Sequence, residues 1–201
     1  MSLSHLFTYA LRVLQVRSLR LDTCTEYEYN LLLELGNARV NRIWEAGLHQ
    51  QKGWTKPKES APRKTKEEWI KSKYVWKGFL EHCPDEGRDS EDREAKLSRD
   101  LFEGARHGDL GAIQEALARG GSVEWRNTEE GGKTALHICV VGEEAKDELP
   151  CKRMLCAELL IQNGAKLNAE DFNQHKALDC AVVGGSRREM IEYLLARSSP
   201  P

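Results

Sequence analysis

The first fifteen residues carry apolar side chains at intervals of three and four positions, which is the spacing of one helix face. These apolar residues are Leu3, Leu6, Phe7, Ala10, Leu11 and Leu14. The pattern predicts an amphipathic segment over residues 1–15, a helix that covers apolar surface elsewhere in the chain. A reversible contact with a membrane or a partner is the alternative, and the absence of acidic residues before Asp22 is also typical of a mitochondrial presequence.

Between residues 16 and 83 the pattern changes from alternation to helical spacing. Val16–Asp22 alternates apolar and polar residues and predicts a half-buried strand. Glu26–Leu35 has helical spacing, Thr25 and Glu28 are placed for a capping box, and Gly36-Asn37 predicts the end of this helix.

Two further features complete this region. A second short helix is predicted from Val40, and Gly53–Pro62 predicts a basic loop that contains proline. Thr65 is predicted to cap a last helix. The apolar surface of that helix is assigned to Trp69, Ile70, Tyr74, Trp76, Phe79 and Leu80.

The second half of the chain contains a repeat. Residues 84–96 have almost no apolar side chain and predict a charged linker. From Leu97 to the last residue, two helical segments and a glycine turn recur about three times, which predicts a stacked array. The polar run Arg187–Glu189 predicts that the last repeat caps the array.

Composition divides the chain at a similar place. The 201 residues are 40% hydrophobic and 31% charged with a net charge of -2, values that exclude a membrane-spanning or a highly charged disordered chain. Residues 1–83 hold 14 Lys and Arg against 9 Asp and Glu, whereas residues 84–201 hold 16 against 23. This asymmetry predicts two modules with different electrostatic tasks.

The six cysteines predict neither disulfides nor a metal site. None of them forms a C-x-x-C pair, and no secretory signal precedes them. A zinc site needs four convergent ligands, and the spacing of Cys151 and Cys156 near His137 and Cys139 does not favour one. We therefore expect reduced thiols in a cytoplasmic protein.

Three motifs in residues 16–83 resemble the Arf GTPase-activating family. They are Val16-Arg17-Ser18-Leu19-x-Leu21-Asp22, Glu34-Leu35-Gly36-Asn37 with Asn41-Arg42-Ile43-Trp44-Glu45-Ala46, and Trp69-Ile70-x-x-Lys73-Tyr74-x-x-Lys77-x-Phe79. The resemblance implies the carboxy-terminal half of the activating domain, because members carry a C-x-x-C zinc finger and a catalytic arginine finger upstream of the first motif. Residues 1–15 resemble neither, so the domain is expected to be truncated, without a catalytic residue, a metal ligand or a zinc cofactor.

Four residues match motif positions of that family and are candidates for partner binding. Arg17 is expected to act in structure or docking, and Asp22 and Asn37 to fix loops. Asn41 lies in the second motif. A direct contact of these residues with an Arf protein is the alternative interpretation.

The repeats resemble the ankyrin family. Thr134-Ala135-Leu136-His137 and Gly164-Ala165-x-Leu167-Asn168 carry the resemblance, which implies a protein partner on the concave face. Since Leu136 and Leu178 lie 42 residues apart, more than one ankyrin period, an insertion of about ten residues is predicted within Gly142–Leu155. We expect His137 to be a hydrogen-bonded structural residue rather than a ligand or a base.

Together these patterns predict a mostly α-helical chain. A partial Arf-activating domain, α-helical with one short strand and no zinc finger, is followed by an ankyrin array. The resemblance implies a regulator of Arf-family small GTPases in vesicle traffic, cytoplasmic or peripheral to endomembranes, with its activity lost or impaired and no turnover of its own. The alternative function is a non-catalytic ankyrin adaptor.

The basic stretch from Lys52 to Lys66 is most simply a solvated loop. Its charge would equally suit an anionic membrane surface or an acidic partner. Nucleic-acid binding is not expected, because Trp54 is the single aromatic residue in the stretch and no known binding fold accompanies it.

Overall fold

The computed structural model describes residues 6–10, 13–17, 25–81, 90–141 and 152–198. The chain divides into two compact units. One unit consists of residues 36–89, and the other consists of residues 1–35 together with 90–201. Asp22 and most of the predicted insertion fall outside the described residues.

The first described elements are two strands, β1 (Leu6–Ala10) and β2 (Val13–Arg17). They pair antiparallel, with Leu6 opposite Arg17 and Ala10 opposite Val13. The helix predicted over the first fifteen residues is therefore wrong. Phe, Tyr, Thr and Val favour extended backbone, and in so short an apolar segment the spacing alone does not separate helix from strand.

The predicted strand over Val16–Asp22 is confirmed only in its first two residues. Val16 and Arg17 end β2, and the residues that follow lie outside the described part of the chain. Because β1 pairs along all five residues of β2, that strand has a partner on one edge.

Helix α1 (Glu26–Trp44) is kinked at Gly36, which has φ 53° and ψ 148°. The capping box at its start is confirmed: the Thr25 N–H donates to Glu28 Oε2 at 2.8 Å, and the Glu28 N–H donates to Thr25 Oγ1 at 3.3 Å. The predicted helix end at Gly36 is confirmed as this kink. The helix resumes after it, includes Val40, where a second helix was predicted, and ends at Trp44. The chain passes from one unit to the other at the same glycine.

The unit of residues 36–81 is completed by a 3-10 turn (Leu48–Gln50), helix α2 (Arg63–Ile70) and a π-helical turn (Lys71–Val75). Its core is formed by Val40, Trp44, Trp69, Phe79 and Leu80. Trp54 packs against it, with ring centroids 5.3 Å from Phe79 and 6.3 Å from Trp69.

Two expectations for this unit are wrong. Pro62, not Thr65, is the N-cap of α2, because its fixed φ already suits the start of a helix three residues before Thr65. Trp76 is not part of the apolar core, since 68% of it is exposed. It follows the π-helical turn, which shifts the helix register and directs the residue outward.

Six helices form three pairs in the other unit and confirm the predicted array. They are α3 (Ser90–His107), α4 (Leu110–Arg119), α5 (Ala135–Cys139), α6 (Lys152–Gln162), α7 (Ala177–Val183) and α8 (Arg188–Ser198). Fully buried side chains such as Leu101, Ile113, Leu136 and Leu160 run through the stack as one core.

The first repeat begins earlier than its apolar pattern. Helix α3 starts at Ser90, inside the predicted linker, and Glu91 and Asp92 lie in its first turn. Acidic side chains there are favourable beside the positive end of the helix dipole, and they stay exposed. A helix that begins with exposed charged residues thus has the same composition as a linker, so composition alone does not distinguish the two.

The described residues are mostly helical, as expected. Among them, no helix combines the length and the apolar character needed to cross a bilayer.

Candidate functional site

The π-helical turn determines which side chains of its segment are buried. Its wider winding places Ser72 and Lys73 inside the unit, each with 3% exposure. Val75 and Trp76 are left outside with 57% and 68% exposure. A π-helical turn costs hydrogen-bond geometry and is often found at functional positions.

Lys73 is the centre of a buried polar cluster. Its Nζ donates to Asn41 Oδ1 and lies 2.5 Å from Glu45 Oε1, so that the turn is joined to the second half of α1. Glu45 also accepts a bond from Lys56 Nζ at 3.2 Å, and the Tyr74 ring centroid lies 4.9 Å from Lys73 Nζ.

The electrostatics of the cluster are those of a structural ion pair. Burial lowers the pKa of Lys73, and the hydrogen bond and charge of Glu45 oppose that shift in part. An ammonium with 3% exposure cannot reach a phosphate on a partner protein. The cluster therefore holds the shape of this unit, and any contact with a partner belongs to residues around it.

The surface of the same unit is strongly basic. Residues 36–81 contain eleven Lys and Arg against five Asp and Glu. Four exposed lysines have no ion pair with another described residue: Lys52, Lys58, Lys64 and Lys71. These charges are available to an anionic partner.

In the array, His137 is a structural residue, as predicted. The Thr134 N–H donates to its Nδ1 at 3.2 Å, and its Nε2 lies 3.0 Å from the carbonyl oxygen of His175 in the next repeat. Burial lowers the pKa of His137, against the opposing effect of the His175 carbonyl. The ring therefore stays neutral and links two repeats.

The turn that precedes α7 is held by Asp171. Its Oδ1 accepts the N–H groups of Asn173 at 2.8 Å and His175 at 2.9 Å. Burial alone would raise the pKa of Asp171, but these two N–H groups hold it below its usual value. Beside it, Phe172 is 62% exposed and lies against Gly132, where a Cβ would come within 2.4 Å of the ring.

The last repeat has an apolar groove of about 420 Å³ between α7 and α8. The groove is lined by Leu178, Val182, Val183, Ile191 and Leu195, with His175 and Asp179 at its polar edge. Val183 is 79% exposed. The polar run Arg187–Glu189 contributes no side chain to this groove, and the role of the last repeat as a cap stays a prediction.

A buried carboxylate connects the array to the first half of α1. Glu158 is fully buried and accepts bonds from Tyr193 Oη at 2.6 Å, Gln162 Nε2 at 2.8 Å and Arg197 Nη2. The Tyr27 ring meets the Tyr193 ring edge-on at 4.7 Å. The residues of α1 before the kink therefore pack on the last two repeats.

Two family models match the chain. A model described as "Putative GTPase activating protein for Arf" matches residues 7–83, and one described as "Ankyrin repeats (3 copies)" matches residues 101–200. The chain combines an ArfGap domain with ankyrin repeats. The Lys73 cluster lies inside the ArfGap match, and the three helix pairs account for the ankyrin match.

Two of the similar proteins have both parts in their names. The rat "Arf-GAP with coiled-coil, ANK repeat and PH domain-containing protein 2" is 26% identical over 85% of this chain, and the match covers 30% of that relative. The human "Arf-GAP with coiled-coil, ANK repeat and PH domain-containing protein 3" is 47% identical over 35% of this chain, and the match covers 8% of that relative. "Protein csx2" of Schizosaccharomyces pombe is 29% identical over 79% of this chain and 15% of its own length. The chain thus spans less than a third of these relatives.

The four predicted site residues do not come together in one described site. Arg17 ends β2 opposite Leu6, and Asp22 lies outside the described residues. Asn37 is exposed immediately after the kink in the ArfGap domain. Asn41 alone has a described role, as an acceptor for Lys73.

Lys73 and Glu45 were not predicted as site residues from the sequence, although both lie within the three family motifs. The signal that could have found them is a lysine between the apolar residues Ile70 and Tyr74, since a charge within an apolar run needs a buried partner. Val75 and Trp76 were missed because nothing in the spacing indicates a π-helical turn.

The described residues do not fit the zinc site that the family resemblance implies. The described cysteines Cys139, Cys156 and Cys180 are buried thiols that form no disulfide, and all three belong to the ankyrin array. Within the described part of the chain, no group of three or more His, Cys, Asp or Glu is placed to hold a metal ion.

Proposed function

We propose that this chain regulates Arf-type small GTPases in vesicle traffic, from the cytoplasm or the periphery of endomembranes. The observation that carries the proposal is the ArfGap match over residues 7–83, together with the intact Asn41–Glu45–Lys73 cluster inside it. A fold held by buried hydrogen bonds can present a fixed surface to a GTPase.

The proposed activity of this chain as a GTPase activator is weak or absent. An arginine finger places a fixed positive charge against the transferring phosphate and can be worth about 10³–10⁵ in rate. No arginine of this chain is assigned to that role. No zinc ion is assigned to the domain either, since the sequence has no C-x-x-C pair. The chain then regulates its Arf partner by binding it weakly, without accelerating GTP hydrolysis.

Single-turnover GTP hydrolysis by an Arf protein tests the level of activity. We expect the full chain to leave the rate of Arf alone unchanged within about twofold, because a missing finger removes most of the acceleration. An acceleration of about a hundredfold or more would overturn this part of the proposal. Arg12→Ala, Arg17→Ala and Arg20→Ala would then identify the arginine that substitutes.

A non-catalytic ankyrin adaptor is the second candidate, and the apolar groove of the last repeat favours it. A groove of about 420 Å³ lined by five aliphatic side chains is suited to an apolar protein segment. An adaptor would bind its protein partner through the array with no effect of Arf on that binding. Val183→Lys should abolish partner binding by an adaptor and leave Arf binding by a regulator unchanged.

A further inference from the structure

We propose that the unit of residues 36–81, called the ArfGap unit from here on, has a contact surface for an anionic lipid bilayer, formed by Val75, Trp76 and the exposed lysines of the preceding helix. This inference is independent of the proposed Arf regulation. It concerns residues that the π-helical turn directs outward and that the Lys73 cluster does not use.

The apolar part of the surface is a pair of large side chains in water. Val75 is 57% exposed and Trp76 is 68% exposed, although both adjoin a segment whose other aromatic residues, Tyr74 and Phe79, pack inward. Exposed tryptophan next to an aliphatic residue is suited to the bilayer interface, where an indole ring combines apolar contact with a polar N–H.

The charged part of the surface lies on α2 and at the start of the π-helical turn. Lys64 and Lys71 are separated by seven positions, the spacing that aligns side chains along one side of a helix, and Val75 ends the turn that Lys71 begins. Lys64 and Lys71 are exposed and have no ion pair among the described residues. Glu68 is the single acidic residue on this stripe.

The remaining basic groups of the helix are already engaged. Arg63 Nε donates to Glu67 Oε1 at 2.7 Å, Lys66 Nζ donates to the Glu59 carbonyl at 2.5 Å, and Lys73 is buried. Residues 36–81 contain eleven basic and five acidic residues, and on this helix the positive charge that faces solvent without an ion-pair or hydrogen-bond partner among the described residues comes from Lys64 and Lys71. Positive charge of this density is complementary to the anionic leaflet of a membrane.

A bilayer fits these observations better than a nucleic acid does. A nucleic-acid site reads bases by stacking several aromatic rings along a basic groove. Here Trp54 is 39% exposed and packs on Trp69 and Phe79, whereas Trp76 is 68% exposed and adjoins an aliphatic residue. One ring with a neighbouring valine and lysines on one face is suited to shallow insertion into a lipid surface.

Sedimentation of the full chain with vesicles tests the proposal. The probes are vesicles of phosphatidylcholine alone and vesicles in which phosphatidylserine replaces about a third of it. We expect binding only to the acidic vesicles, with a decrease in binding as salt is raised. Equal binding to both vesicle types, or to neither, would overturn the proposal.

Point variants assign the binding to these residues. Trp76→Ala should weaken binding about tenfold or more, since burial of a large apolar side chain is worth that much. Lys64→Gln and Lys71→Gln should each weaken it about fivefold. Glu68→Gln should strengthen binding by a similar factor, a gain that loss of folding cannot produce.

The matched controls lie in the ankyrin array. Val183→Ser removes an aliphatic side chain that is 79% exposed, more than Trp76, and Lys96→Gln removes an exposed lysine of α3. Neither control should change binding. Binding that Trp76→Ala and Glu68→Gln leave unchanged would contradict the proposal, and so would a preference of the chain for duplex or single-stranded RNA over acidic vesicles.

Discussion

Lys73 is the residue on which the shape of the ArfGap unit most depends. A buried ammonium is tolerated because Glu45 and Asn41 accept its hydrogen bonds, and its removal takes from Glu45 its buried ion-pair partner. The same glutamate binds Lys56, but that lysine is 57% exposed. One carboxylate thus has a buried partner and a solvated partner, and the two can be compared directly.

Lys73→Ala should destabilise the ArfGap unit by about 3–5 kcal/mol, the usual cost of breaking a buried pair. Lys56→Ala should cost less than about 1 kcal/mol, because water screens an exposed pair. Thermal unfolding followed by tryptophan fluorescence measures both, since four of the five tryptophans lie in residues 36–81. Equal losses for the two variants would contradict the structural role of Lys73.

His137 makes the stability of the array depend on pH. Its pKa in the folded chain is below the ordinary value of 6.5, so the unfolded chain binds more protons as pH falls. Stability is therefore complete above about pH 6.5 and decreases below it, by about 1.4 kcal/mol for each unit by which the folded pKa is depressed.

Urea unfolding of the array at about pH 7 and about pH 5 measures this effect of His137. His137→Asn should be less stable at the higher pH but should lose the dependence over this interval. Asp171, whose pKa is also depressed, contributes only at lower pH, near and below its usual value of 3.8. An unchanged pH dependence in the variant would show that another group is responsible.

At the scale of elements, the kink at Gly36 separates the part of α1 that packs on the array from the part in the ArfGap unit. Its φ of 53° with ψ of 148° lies where L-residues are strained. A Cβ at Gly36 would meet no atom within 4 Å, so backbone strain is the only cost of a side chain there.

Gly36→Ala should therefore lower stability by about 1–3 kcal/mol. Gly78→Ala is the control, because Gly78 is outside the positive-φ region and its Cβ would lie 3.4 Å from the Ser72 carbonyl oxygen, an ordinary contact. Circular dichroism melts of the two variants compare them. If Gly78→Ala is the more damaging, the kink does not require a glycine.

Elements whose signal is local could be predicted from the sequence. The Thr25 capping box, the break at Gly36 and the Thr134–His137 link each depend on side chains within a few positions of one another. The strands at the start, the early beginning of α3 and the π-helical turn could not be predicted in the same way. Strand pairing, helix extension and register shift are decided by packing partners that are distant in sequence.

The candidate site was predictable only in its outline. Asn41 and the third motif indicated the right segments, but the bond between Lys73 and Glu45 joins residues 28 positions apart. The apolar groove on the last repeat could not be predicted, because its lining combines side chains of α7 and α8 that the polar run Arg187–Glu189 separates in the sequence.

At the scale of the whole molecule, charge and fold divide the chain into similar parts. The basic residues 36–81 form most of the ArfGap unit, and the acidic excess lies in the array. The chain matches 30% of the rat relative, and its ArfGap and ankyrin parts are among those that the name of that protein contains. A regulator of this composition would act through binding.

Binding of the full chain to an Arf protein loaded with a non-hydrolysable GTP analogue tests the central claim most directly. Titration calorimetry should show weak but saturable binding, with a weaker response to Arf–GDP, and Lys73→Ala should reduce the affinity about tenfold or more while Val183→Lys leaves it unchanged. Absence of saturable binding, or binding that Val183→Lys abolishes and Lys73→Ala leaves intact, would contradict an Arf regulator and support the ankyrin adaptor instead.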